Sequence, residues 1–141
     1  RDTYSIRVAT TDNGGLSYEK AFTITINDLN EAPTDIGLSN QVIPENEPVG
    51  TLVGTLTSDD PDAGDTHGYT LAAGVQDNDS FSISGAWLLS NGVFDFDAKN
   101  TYTIQVTSID KGGLSFSKDF TITVTEEKDL VFNIFLPLFD N

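Results

Sequence analysis

An all-β fold, a seven-stranded Greek-key sandwich of antiparallel sheets preceded by part of a second copy, is what this sequence predicts, on three observations. Apolar and hydroxyl-bearing residues alternate through several short runs with period 2, the spacing that puts every second side chain on one face of a strand. Gly, Pro, Asn and Asp separate those runs at regular intervals. Residues 3–26, TYSIRVATTDNGGLSYEKAFTITI, align without gaps on residues 101–124, TYTIQVTSIDKGGLSFSKDFTITV, with 14 identities in 24 positions at an offset of 98 residues. That offset is the length of one compact β domain. The chain therefore divides into the C-terminal strand pair and linker of one repeat (1–30), a complete repeat (31–128) and an apolar tail (129–141).

The elements follow in order. In the first copy Tyr4, Ile6 and Val8 form one apolar stripe and Phe22, Ile24 and Ile26 another, joined by DNGG, whose glycines suit a tight reversal. Within the complete repeat, short strand candidates at 42–43, 51–56, 69–71, 81–84 and 87–89 are each bounded by turn residues. The last pair repeats the first. Tyr102, Ile104 and Val106 alternate with Thr103, Gln105 and Thr107, and after DKGG, Phe120, Ile122 and Val124 alternate with Thr121 and Thr123. No segment carries the period of an amphipathic helix. About seven strands in a repeat of that length is the pattern of an immunoglobulin-like sandwich.

Composition excludes several functions. Seven Lys and Arg against 22 Asp and Glu leave a formal charge of −15. Such a surface repels nucleic-acid phosphates and anionic membranes. With no cysteine, disulfides and thiolate metal sites are ruled out. The single histidine, His67, next to a glycine in an acidic loop, is expected to be exposed to solvent rather than to act as a ligand. No signal peptide or membrane span is visible, so membrane insertion is not expected. The chain opens in mid-pattern without a methionine and reads as a piece of something longer. One histidine, no cysteine and no GxSxG element leave an enzyme only carboxylate pairs to work with, and none is expected.

The carboxylates gather at strand ends, most densely in TSDDPDAGD, residues 57–65. Like charges so close need water or a cation between them. Others are Glu45 in PEN, Asp95 and Asp97 in DFDA, Asp110 in IDKGG, and Asp28, Asn30 and Glu31 in DLNEAP. Singly, each is an ordinary turn residue bonding its own backbone. Together they suit calcium, which takes six to eight oxygen ligands in flexible geometry. An EF-hand is excluded because the twelfth position from Asp60 is Leu71, not Glu, and the nonapeptide GGxGxD repeat is missing. A calcium site here has to be assembled from distant segments.

The order PEN, DxD, FDFDA, a YxIxV strand ending in Asp, and a DxN linker resembles the cadherin repeat, and more narrowly the bacterial cadherin-like repeats of large secreted or surface proteins. The resemblance implies calcium at the junction between successive repeats. Asp28, Asn30 and Glu31 would come from the linker, Asp60, Asp62 and Asp110 from the complete repeat, while Asp59 would face solvent. It also implies a second junction built on Glu45, Asp95 and Asp97, where the following linker is EEKDL, with Lys128 in the place of Asn30. The first copy has no PEN or DFD of its own, and its linker is about one residue short of the animal DxNDNxP element. One ion is expected, at most two, rather than three.

The function this implies is a calcium-stiffened module of a bacterial extracellular adhesin or surface protein, with neighbouring repeats as partners. The alternative is a calcium-dependent module that binds cell-surface polysaccharide, with Trp87 and Tyr69 as a sugar-stacking platform. Both rings are expected in the core instead. The apolar face of 3–26 and the tail LVFNIFLPLF at 130–139 are expected to be covered through association, including a homo-oligomer.

Overall fold

The computed structural model describes residues 2–128. The tail expected to associate, 129–141, lies outside the described residues. Two compact units divide the chain, residues 1–30 and 31–141.

The first unit is a hairpin of β1 (Asp2–Thr11) and β2 (Ser17–Ile26). Its register pairs Tyr4 with Ile24, Ile6 with Phe22 and Val8 with Lys20, so the six apolar residues of the sequence stripes share one face, and that face is exposed. Asp12 closes the turn by accepting the N–H groups of Gly14 and Leu16 on Oδ1, at 2.8 and 2.9 Å.

The second unit is a sandwich of two four-stranded sheets. Its strands are β3 (Asp35–Leu38), β4 (Val42–Pro44), β5 (Leu52–Asp59), β6 (His67–Leu71), β7 (Phe81–Ser84), β8 (Trp87–Ser90), β9 (Thr101–Asp110) and β10 (Ser115–Thr125). One sheet runs β4-β10-β9-β6 and the other β3-β5-β8-β7. The eight segments amount to seven strands, because β3 and β4 are two parts of one strand that changes sheets. β3 pairs antiparallel with β5, and β4 pairs parallel with β10. At the crossover Asn40 donates from Nδ2 to the carbonyls of Val42 and Val53, at 2.6 and 2.8 Å. Gly54 is required beneath it: a Cβ there would lie 2.8 Å from the Asn40 carbonyl oxygen. β3 itself escapes the sequence pattern, since DIGL is too short to show an alternation.

The core lies between the sheets. Ile104, Val106, Phe120, Ile122 and Val124 from one meet Ile36, Val53, Leu56, Phe81 and Leu88 from the other, with Ile43 and Phe94 completing it. β9 and β10 repeat the register of β1 and β2 at the same offset, Tyr102 with Ile122 and Ile104 with Phe120. Trp87 corrects an expectation. In WLL the inward residue is Leu88, fully buried, and Trp87 is 56% exposed on the outer face. Three apolar residues in a row carry no alternation, so parity is decided only by strand pairing. Tyr69 is half-buried against the core, and its hydroxyl accepts from Ser58 Oγ at 3.1 Å.

The loop before β7 is fastened by two side chains. Asn78, buried in a single 3₁₀ turn, donates to the carbonyls of Ala72 and Gln105 and accepts the Gln105 N–H at 2.8 Å. Asp77 accepts from Lys99 Nζ at 2.6 Å and from the Thr103 N–H at 2.8 Å. Asn78→Ala strands three backbone groups and should cost on the order of 2–4 kcal/mol in urea unfolding; a loss within error of zero would show that water replaces the amide.

The Lys99 hydrogen bond, then the Thr103 N–H, hold the Asp77 carboxyl below its ordinary 3.8. A carboxylate with a depressed folded value contributes stability that is present above the ordinary value and lost as pH falls through the folded one. Asp77→Asn should therefore lose less stability than the parent when acidified below about pH 4. Parallel acid limbs for the two proteins would remove Asp77 from that account.

Candidate metal centre

The period-2 stripe that builds the core also builds the site. Along β9 the inward residues are Ile104, Val106, Ser108 and Asp110, so the strand ends with a carboxylate on its buried face, 5% exposed. Asp110 closes the following turn by accepting the Leu114 N–H at 2.8 Å. Just inside it, Ser108 and Ser58 share a hydrogen bond of 2.6 Å between the sheets.

β5 ends beside it, and the loop 60–66 folds back on its own carboxylates. Asp60 Oδ1 accepts the Asp62 N–H at 2.8 Å, and Asp65 Oδ1 accepts the Thr66 N–H at 2.7 Å. This brings ligand oxygens of Asp60, Asp65 and Asp110 within 4.8 Å of one another, and it is the one such group of three among the described residues. Residues 31–35 arrive at the same end. Asp62 Oδ2 accepts the Glu31 N–H at 2.7 Å, and the Thr34 N–H donates to the Asp59 carbonyl at 2.8 Å.

The sequence-expected ligands are thus divided. Asp60 and Asp110 meet. Asp62 stands outside the group and holds the incoming chain at Glu31. Asp28 and Asn30 belong to the first unit, and Asp59 is exposed at the end of β5. Asp65 is the member that sequence reading missed, although it closes the same DPDAGD stretch. At the opposite end of the sandwich, Glu45 accepts the N–H groups of Phe96 and Glu127, at 2.9 and 3.0 Å. Asp95 there accepts the Asp97 N–H at 3.0 Å, and Asp97 and Lys128 are exposed.

His67 is a second correction. It does not hang in a loop but begins β6, paired with Asp110 in the β6–β9 ladder, with its side chain only 11% exposed. Nε2 lies 2.8 Å from Asp60 Oδ2. Since a carboxylate only accepts, the imidazole carries a proton on Nε2. The His67 hydrogen bond, followed by the Asp62 N–H, holds Asp60 below its ordinary 3.8, with burial opposing.

All the donors are oxygens and the charge is concentrated, which fits a hard divalent cation and gives a soft one nothing to prefer. In calcium-free protein, His67→Leu should raise the titration midpoint of the Asp60 carboxyl toward its ordinary value. Carbon-detected NMR of the carboxyl follows this, and an unmoved midpoint would mean the hydrogen bond does not persist in solution.

Comparison with known proteins gives a consistent result. The Cadherin domain family matches residues 39–125, nearly all of the complete unit. Human Protocadherin-1 is 33% identical over 138 residues, covering 92% of this chain and 13% of its own length. Protein dachsous of Drosophila melanogaster is 30% identical over 120 residues, covering 81% of this chain and 3% of its own. The solved structure of PcdhgB3 EC1-4 superposes with a TM-score of 0.72 at 28% identity, over 90% of this chain and 32% of that one. The chain therefore spans a small part of the relatives it matches, and those relatives are animal proteins, whereas the order of its motifs had suggested the bacterial members. Fold, strand order and family match agree: the chain belongs to the cadherin family.

Proposed function

We propose that this chain is a calcium-binding module of an extracellular adhesion protein, in which a cation held at one end of the complete unit stiffens its approach to the neighbouring repeat. The observation that carries this reading is the gathering of Asp60, Asp65 and Asp110 at the end where residues 31–34 enter. Cadherin domains generally bind calcium, and in their relatives they are extracellular. Among the described residues no helix is long and apolar enough to cross a membrane. The family is one of adhesion rather than catalysis, and the module is proposed to act without enzymatic chemistry.

A bound calcium ion would supply the positive charge that lets these carboxylates coexist in a partly buried setting. The chain's own groups do the rest. Asp110 is fixed by its turn, and Asp60 by the Asp62 N–H. Asp62 ties Glu31 to the same loop, so ordering that loop orders the start of the unit. Asp28 and Asn30 are proposed as further donors from the stretch before Glu31, and residues 1–30 as the end of a preceding repeat. Glu45, Asp95 and Asp97 are proposed for a following junction, with Lys128 weighing against a tight site there. The bacterial surface-protein setting belongs to this proposal on the motif order alone.

Millimolar calcium should raise the melting temperature of the full chain, and magnesium should do so far less, because it demands a rigid octahedral shell. Asp60→Ala, Asp65→Ala and Asp110→Ala should each remove most of the gain, whereas Asp59→Asn should keep it. Asp62→Asn should weaken it through the lost tie to Glu31. Identical melting in chelator and in calcium would falsify the assignment.

A further inference from the structure

Both oxygens of Asp60 are held by donors of the chain itself. Oδ1 accepts the Asp62 N–H at 2.8 Å, and Oδ2 accepts from His67 Nε2 at 2.8 Å. The second bond is nearly dry, with the Asp60 side chain 4% exposed and that of His67 11%. The His67 backbone is paired with Asp110 in the β6–β9 ladder, so the imidazole is anchored beside a second carboxylate of the group. This bond adds little to the aim of Asp60, which the Asp62 N–H and burial already fix. Its larger effect is on charge, because it puts a proton donor on an oxyanion whose neighbours Asp65 and Asp110 bring oxygens within 4.8 Å. In keeping with that, the His67 bond comes ahead of the Asp62 N–H in holding the Asp60 carboxyl below its ordinary 3.8.

We infer that His67 sets the affinity of this centre by standing in for the cation: its N–H stabilises Asp60 when no calcium is bound and competes with calcium for the same oxygen. The inference rests on the calcium reading above and adds to it the residue that limits how tightly the ion is held. Free energy that the N–H gives to the bare anion is lost, in whole or in part, when a cation takes that oxygen. Removing the donor therefore does two opposite things. It leaves three crowded carboxylates less well compensated in calcium-free protein, and it leaves Asp60 a stronger ligand. The imidazole thus lets this end of the sandwich keep its shape at low calcium while holding the ion loosely, which suits a module that meets calcium at about millimolar concentration.

Calorimetric titration with calcium chloride, beside thermal melts in chelator, tests this on the full chain at about pH 8, where an ordinary imidazole is neutral. His67→Leu should bind calcium about tenfold more tightly than the parent and melt a few degrees lower in chelator. His67→Gln, which keeps an N–H at a similar reach, should stay near the parent in both. Weaker or unchanged calcium binding in His67→Leu would overturn the inference, since removing a donor that only positions Asp60 costs affinity. Tightening of the same size in His67→Gln would overturn it too. A measurement on the parent needs no variant to fold: the Nε2 proton of His67 should exchange faster with water once calcium is added, and equal protection with and without calcium would show that the two do not compete. A parent that takes up no calcium would sink the calcium reading itself, and the inference with it.

Discussion

Much of this molecule follows from the inward stripe of a single strand. β9 carries Ile104, Val106, Ser108 and Asp110 on one side, and the period of the backbone leaves no freedom to bury the first two without also turning in the last. The hydrophobic term supplies the force: fully burying a branched aliphatic side chain is worth about 1.5–3 kcal/mol. That force sets the register, and the register delivers a carboxylate into a partly buried position at the strand's end. A slip of one residue would expose the core and the aspartate's place together. Ser108 eases the passage from apolar to ionic by bonding Ser58 across the sheets.

The acidic composition is arranged rather than dispersed. Several carboxylates at the turns have a local task, accepting a nearby backbone N–H as Asp12, Asp60, Asp95 and Asp110 do, while Asp62 accepts the distant Glu31 N–H. In the second unit they close the loops at the two ends of the sandwich and leave β7, β8 and residues 52–58 of β5 uncharged. A carboxylate fixed by a turn is already oriented, so less side-chain freedom remains to be lost when a further partner arrives. His67 adds a competitor, since its Nε2 holds the Asp60 oxygen that does not serve the turn.

What could be read in advance depended on whether the physics was local. Period-2 runs and glycine turns gave β1, β2, β9 and β10 with their faces, and the short strands β7 and β8 to within a residue. β3 was lost because four residues with a central glycine show no period. Asp60 and Asp110 were legible as strand-end carboxylates in a recognisable order. Asp65 was not, because which aspartate of DPDAGD turns inward depends on the fold of the loop. His67 was misread for a similar reason: pairing with Asp110 extends β6 back through Gly68, and a ladder partner far along the chain leaves no mark beside it. Trp87 shows the same limit, as only the pairing of β8 with β5 decides the parity of WLL.

The two hairpins separate what sequence specifies from what it only permits. Residues 3–26 and 101–124 share most of their side chains, the same register and the same aspartate-closed turn, yet one apolar face is buried and the other exposed. The local code makes the hairpin in both cases. Burial comes from the facing sheet, whose Ile36, Leu56 and Leu88 share one core with Ile104, Val106 and Ile122 in the second unit. An isolated two-stranded hairpin is at best marginal in water. The local sequence is therefore enough to set the register and the closing turn, and it is the facing sheet of the second unit, with its aliphatic side chains at alternate positions, that turns the same apolar stripe into a core.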